Sequence, residues 1–274
     1  MKKILLLLLL LLLSYEAAYA SGTGFLTKLN ITEEDYGKML LENRKQVGWQ
    51  FLTAKHSDSE HSFKFYDSLM ELEFALQRGD IDEIIVPSVV AEYMLNANKK
   101  FAFNSVEKVM PISLVFGFRA KDAEMRDKFY LALKSMKEDG ELSRIINDYL
   151  VTPGVDEPEP VEFDKFADAE VIRVAVTGDM PPIDLVNAGG APAGFNTAVI
   201  AEIGRRLKAN VVLMDIDAGA RAAALASGRV NAVFWYFKFK AADGAKEFDV
   251  PEGVILSEPY YEFDKFIHVK FRAK

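Results

Sequence analysis

Along residues 171–235, short continuous apolar runs alternate with segments whose apolar residues have helical spacing, and this predicts strands and helices in turn. The run VIRVAV at 171–176 is short, apolar and rich in β-branched residues, which is typical of a buried strand. After Asn196 in the chain, apolar residues at every fourth position predict one face of a helix. The further predicted elements are a strand at 211–214, a helix over about 219–227 and a strand at 230–235. This alternation of strands and helices favours right-handed crossovers and a mostly parallel sheet.

The earlier part of the chain repeats the alternation. From residue 63 the segments FKFYDS, LMELEFALQRG, IDEIIVPSV and AEYMLNAN predict strand, helix, strand and helix. Residues 112–118 then predict a strand, and residues 122–149 predict two helices that are broken at Asp139 and Gly140. Residues 151–170 contain three prolines and many acids with little periodicity, which indicates a solvated linker.

Composition and charge narrow the function classes. Half of the residues are hydrophobic and the formal net charge is −8, so the chain lacks the excess of Lys and Arg that a nucleic-acid partner requires. No cysteine is present, so in an oxidising compartment the core alone would have to hold the fold. The sequence shows no catalytic triad order, phosphate loop or zinc helix motif, and we predict no cofactor. The segment KHSDSEHS, with His56 and His61, resembles a metal cluster but has the composition of a polar loop, and we predict no metal.

Residues 1–20 have the pattern of a secretory signal peptide: two lysines, an apolar run from Ile4 to Leu13, and Ala-Tyr-Ala at the end. We therefore expect a periplasmic protein that is cleaved after Ala20. The alternative is a membrane anchor that is retained after export. No other apolar run approaches the roughly 20 residues that a spanning helix needs, so we expect no stable membrane insertion after cleavage.

Three short motifs in residues 171–261 resemble those of the extracellular solute-binding proteins that serve ABC import of polar amino acids. They are Gly194-Phe195-Asn196, then ALASGRVNA at 224–232, and Ser257-Glu258-Pro259-Tyr260-Tyr261. The segment 66–93, from YDS to AEY, is similar to the second lobe of the same family. The resemblance implies an α/β fold of the type II periplasmic-binding class, in which two lobes, each a mostly parallel sheet flanked by helices, close on a ligand.

The order of the segments departs from the family and predicts a circular permutation. Residues 21–111 resemble lobe two, with 262–274 as a crossover strand, and residues 112–150 resemble the returning part of lobe one. The linker 151–170 then leads to the opening part of lobe one at 171–261. Adding a surface loop between old termini costs little entropy, so such a permutation is physically cheap. The alternative is the middle of a tandem pair, whose half-modules could complete each other between chains.

Ligands of open parallel sheets bind at the carboxyl ends of the strands, which places the predicted site in the loops after residues 86, 176, 214 and 235. The candidate ligand-binding residues are Thr177, Asp179, Met180, Ile183, Asp217, Arg221, Trp235, Tyr236, Lys238 and Ser88. We predict a small-molecule ligand and, from the resemblance, the membrane subunits of an ABC transporter as partners. Trp235 and Tyr236 could instead fill the core, because FWYF is a continuous apolar run, and Arg221 could merely solvate a helix face.

Two departures from the family concern the ligand. The arginine that usually clamps an α-carboxylate is missing from residues 238–243, and Pro87 stands where an aspartate usually meets the α-amino group. The ligand could therefore be something other than an α-amino acid, could be held by Lys238 and Arg221, or the site could be degenerate. The segment TGDMPPI also resembles periplasmic cyclohexadienyl dehydratases, which leaves an enzyme on the same fold as the second hypothesis.

Overall fold

The computed structural model describes residues 45–49, 61–66, 68–151, 158–187, 189–239 and 250–272. The predicted signal peptide, residues 50–60 around His56 and residues 152–157 of the linker lie outside these residues. From residue 63 on, the described residues belong to one unit.

Strands and helices alternate through most of the described chain. The helices are α1 Leu69–Arg78, α2 Ser88–Ala97, α3 Ala123–Glu138, α4 Glu141–Ile146, α5 Phe195–Leu207 and α6 Arg221–Ser227. The strands up to the linker are β1 Lys45–Trp49, β2 His61–Phe65, β3 Glu83–Pro87 and β4 Phe101–Arg119. The later strands are β5 Val171–Val176, β6 Asp179–Met180, β7 Asp184–Val186, β8 Pro192–Ala193, β9 Asn210–Asp215, β10 Ala232–Phe239, β11 Val254–Leu256 and β12 Tyr261–Phe271.

The large sheet has the order β2-β1-β3-β12-β4-β10-β5-β9, and β11 pairs with β4. The parallel pairing that we expected in the later part is confirmed, because β5 pairs in parallel with both β9 and β10. Antiparallel pairs appear at the two long strands β4 and β12, which lie side by side in the middle. β4, which precedes the linker, therefore pairs with three strands that follow it, β10, β11 and β12.

Most predicted elements are confirmed, and the α/β class with them. The strand at 171–176 is found with the predicted bounds, and the break at Asp139 and Gly140 separates α3 from α4. The prediction for the third strand was too short, because β10 continues to Phe239 instead of ending at Trp235. Pairing with β4 extends it, and a local apolar pattern does not reveal such a partner.

An aromatic cluster lies at the centre of the core. Phe116 of β4 stacks on Tyr260 with ring centroids 4.8 Å apart and contacts Phe129 of α3 and Phe234 of β10. All four side chains are buried. The cluster thus joins residues from before and after the linker.

A second set of contacts between the residues before and after the linker is polar and centres on Arg206 of α5. Its guanidinium lies 2.7 Å from a carboxylate oxygen of Asp139 and 2.6 Å from one of Glu202, and it donates to the hydroxyl of Ser135. Only 14% of the Arg206 side chain is exposed. The neighbouring Arg205 binds Glu202 alone among the described residues and is 56% exposed.

Residues 161–170 of the linker are exposed or half-buried, and several of them also bind to the fold. The amide of Val161 donates to the carbonyl of Pro192, and Phe166 exchanges two hydrogen bonds with the side chain of Asn210. Val161 and Phe163 also pack against the core. These two apolar residues break the polar pattern of the segment and were the available signal.

Candidate functional site

The loop that follows β5 is shaped by its contact with the start of α5. Gly194 has a φ of +94°, and a Cβ atom at this position would lie 2.8 Å from the carbonyl oxygen of Pro182. This close approach lets the amides of Phe195 and Asn196 donate to the carbonyls of Pro182 and Ile183. The Gly-Phe-Asn motif therefore docks the helix onto the loop, and only glycine fits there.

Asp184 is the buried acid of this loop. Its Oδ2 accepts the amide of Thr177 at 3.2 Å and lies 3.5 Å from the Thr177 hydroxyl. Only 1% of Asp184 is exposed. Burial raises the pKa of its carboxyl to about 6, and the backbone amides of Gly178 and Thr177 and the charge of Arg221 oppose this rise only in part.

Tyr260 and Asn196 form the second polar pair in the same region. The Tyr260 hydroxyl donates to Oδ1 of Asn196 at 2.9 Å. Burial, aided by the charge of Asp184, raises the pKa of the Tyr260 hydroxyl well above its usual range. Asn196 is fully buried, and its Nδ2 has no hydrogen-bond partner among the described residues. We call Asp184, Asn196 and Tyr260 the polar cluster.

The sequence analysis did not select these three residues as functional. A signal was present, because Asp184 directly follows the predicted site residue Ile183 and the other two lie within the quoted Gly-Phe-Asn and Glu-Pro-Tyr-Tyr motifs. Their local pattern did not reveal that all three would be buried.

Asp179 reaches from the loop to the earlier part of the chain. Its Oδ2 accepts the amide of Leu69 at 2.9 Å, at the first residue of α1. The hydroxyl of Ser68 accepts the amide of Glu71 in the same turn. A carboxylate is favourable at a helix N-terminus, which has unsatisfied amides and a partial positive charge. Asp179 thus links the loop to a helix 110 residues away in the sequence.

The structure places the other predicted site residues in different environments. Met180 and Ile183 are buried in the core, whereas Thr177 and Ser88 are half-buried and Asp217 is exposed. Arg221 is buried, and its Nη1 donates to the carbonyl of Phe234 at 3.0 Å. Tyr236 and Lys238, which we expected beyond the third strand, lie within β10 together with Trp235. The side chains of these three residues are outside the described part of the structure.

Two cavities lined by described residues lie away from the predicted site. One, of about 280 Å³, lies between α4, α5 and the residues around Val161. The other, of about 520 Å³, lies between the end of α1 and the end of β12. No predicted site residue lines either cavity.

Neither metal ligation nor membrane crossing finds support in the described ranges. Among these residues no group of three or more His, Asp or Glu side chains could hold a metal ion. Within the same ranges no helix is both long enough and apolar enough to cross a membrane.

Residues 172–267 match the family model of bacterial extracellular solute-binding proteins, family 3. The matched segment includes the loop after β5 and the polar cluster. The resemblance inferred from the sequence motifs is thereby confirmed. The match supports a solute-binding function and a secreted or periplasmic location. No curated protein matches the chain.

Solved structures with a similar chain course are distant in sequence. The periplasmic domain of BvgS from B. pertussis is 13% identical with a TM-score of 0.36. The match covers 89% of this chain and 40% of the BvgS chain. The ligand-binding core of GluR0 in complex with L-glutamate is 12% identical with a TM-score of 0.40, covering 84% of this chain and 86% of that chain. The binding protein AgaA in complex with agropinic acid, from A. tumefaciens R10, is 13% identical with a TM-score of 0.41, covering 77% of this chain and 55% of that chain.

Proposed function

We propose that the protein is a periplasmic solute-binding protein that captures a small polar ligand for an ABC importer. The proposed site lies between two lobes and uses the loop after β5, the start of α2 and the end of β10. The observation that carries the proposal is the family match at 172–267, which includes this loop. The hydrogen bond from Leu69 to Asp179 supports it, because it joins the loop to a helix of the other proposed lobe.

A ligand that binds between two lobes favours the closed arrangement, since closure is what brings both sets of contacts together. The usual carboxylate-clamping arginine is absent from 238–243. Lys238 is then the cation that we propose for an anionic group, since Arg221 is buried and its Nη1 donates to the carbonyl of Phe234. The candidate ligands of the proposed site are therefore amino acids, small carboxylates, amines and short peptides.

The first experiment is a thermal-shift screen of the full chain, purified from the periplasm, against these four classes. A ligand that binds only the folded state raises the melting temperature by mass action. Calorimetry should then give a stoichiometry of one, and the ligand should be recovered unchanged. Failure of all four classes to shift the melting temperature would contradict the carrier proposal.

Variants then locate the site. If the Trp235 ring stacks on the ligand, Trp235→Ala weakens binding by about 1–3 kcal/mol. Asp179→Ala should weaken binding severalfold, because it removes the bond to α1. Glu92→Ala, which removes an exposed acid of α2, is the control and should leave affinity unchanged. If Trp235→Ala lowers stability but not affinity, the ring belongs to the core and the site is elsewhere.

The dehydratase hypothesis has one observation in its favour, the carboxyl of Asp184 with a pKa of about 6. An acid of this pKa suits proton transfer near neutral pH. Its burial counts against direct contact with a substrate. Incubation with a cyclohexadienyl carboxylic acid decides the matter: turnover that Asp184→Asn abolishes would replace the carrier proposal with an enzyme.

The circular order of the lobes is part of the same proposal. Its support is that β4, from before the linker, pairs with β10, from after it. A re-permuted chain, with residue 274 joined to residue 21 and new termini in the linker, should fold with the same circular dichroism and ligand affinity. A monomer in light scattering is expected, whereas a dimer that exchanges half-modules would contradict a closed single-chain permutant.

A further inference from the structure

The cavity of about 520 Å³ lies at a surface that the proposed function does not use. It is bounded by the end of α1, the end of β12 and the turn before β4. We call it the α1 groove and define it by Leu76, Ile81, Phe271, Arg78, Lys100 and Arg272.

The floor of the α1 groove is apolar and firmly held. Leu76 and Ile81 are 4% and 2% exposed, so they are fixed in the core and only line the groove. Phe271 is partly exposed and packs edge to face on Phe101, with ring centroids 5.9 Å apart. Gly79 ends α1 beside this floor, and a Cβ atom there would meet nothing within 4 Å. The groove therefore has room for an apolar body.

Two cations stand side by side on the rim. The amide of Arg272 donates to the carbonyl of Lys100 at 2.8 Å, because β12 and β4 pair up to Phe271 and Phe101. Neither Lys100 nor Arg272 forms an ion pair within the described part of the chain. By contrast Arg78, the third cation, lies 2.6 Å from a carboxylate oxygen of Asp80.

The charge balance of the lining is positive. With Arg78 neutralised by Asp80, the cations Lys100 and Arg272 face one lining carboxylate, that of Asp82. On a chain of net charge −8 this is a local reversal of sign. An apolar floor with cations at one rim suits a ligand that has an apolar body and a single anionic group.

We propose that the α1 groove binds a small amphipathic anion, such as an aryl or alkyl carboxylate or sulfonate. The apolar body lies on Phe271, Leu76 and Ile81, and the anionic group meets Lys100 and Arg272. The groove is separate from the loop after β5, so this proposal stands independently of the solute site.

The test uses two probes with the same aromatic body. 1-Anilinonaphthalene-8-sulfonate carries the anionic group, and N-phenyl-1-naphthylamine lacks it. Fluorescence titration of the full chain should give one site for the sulfonate and binding about tenfold weaker for the neutral probe. Raising the salt concentration should weaken only the sulfonate, because screening acts on the charge.

A double variant, Lys100→Gln with Arg272→Gln, should weaken binding of the sulfonate about tenfold and leave the neutral probe unchanged. Lys121→Gln with Lys134→Gln removes two exposed cations elsewhere and is the matched control for net charge. Equal loss in both double variants, several equivalent sulfonate sites, or no sulfonate binding would each overturn the proposal. A solute found in the thermal-shift screen should not displace the sulfonate, and this separates failure here from failure of the solute site.

Discussion

Polar groups collect in two regions that differ in what surrounds them. In the polar cluster, Asp184, Asn196 and Tyr260 are buried and bonded to neighbours within the fold. In the α1 groove, Lys100 and Arg272 are exposed, and their side chains form no ion pair with a described residue. Removing a buried polar partner leaves another group unsatisfied, whereas removing an exposed charge leaves water in its place. Changes in the polar cluster should therefore alter mainly the stability of the fold. Changes in the α1 groove should alter mainly the binding of the amphipathic anion.

The largest expected effect is the pH dependence that Asp184 contributes. Its pKa is raised in the folded protein to about 6 from an ordinary value of 3.8, so between these values the folded state binds more protons than the unfolded state. This contribution to stability is complete below pH 3.8 and is lost as the pH rises through 6, by about 3 kcal/mol in all. Urea unfolding of wild type and Asp184→Asn at pH 4 to 8 measures the difference. A difference in stability that does not change with pH would show that Asp184 does not titrate in this range.

Arg206 and Arg205 are neighbouring arginines that both bind Glu202, but Arg206 is more buried and has more partners. Arg206→Ala removes contacts to three side chains from a largely buried site and should cost about 2 kcal/mol. Arg205→Ala, its neighbour with a mostly exposed side chain, should cost less than about 1 kcal/mol. Chemical denaturation of both variants measures the two losses in the free energy of unfolding, and equal losses would refute the larger structural role assigned to Arg206.

Tyr260→Phe isolates one bond of the polar cluster. It removes the hydroxyl that donates to Asn196 and keeps the ring stacked on Phe116. We expect a loss of about 1–2 kcal/mol in the free energy of unfolding, because Oδ1 of Asn196 is left buried without this donor. The double variant Tyr260→Phe with Asn196→Leu should recover part of the loss, since both polar groups are then gone. No recovery would indicate that Asn196 has a further structural role.

The smallest effect is expected in the α1 groove. Lys100→Gln with Arg272→Gln should change the free energy of unfolding by no more than about 0.5 kcal/mol. Thermal and urea unfolding should superimpose on wild type apart from this margin. A loss of several kcal/mol would mean that these cations hold the fold and would erase the contrast between the two regions.

The sequence by itself determined the alternation of strands and helices, the break between α3 and α4, and the resemblance of residues 172–267 to the family 3 solute-binding proteins. Local periodicity and short motifs carry this information, because the side chains of one helix or strand repeat with its geometry. Position on an element was therefore predictable, as the unchanged bounds of β5 show.

Tertiary structure alone decided which polar residues meet. Asp179 lies 110 residues from the amide it accepts, and Lys100 and Arg272 become neighbours only through the pairing of β4 with β12. The burial of Asp184, and with it the rise in its pKa, depends on packing against α5, which its flanking residues do not reveal. Such contacts arise from register and packing between distant segments, and a local pattern of apolar and polar positions does not specify these.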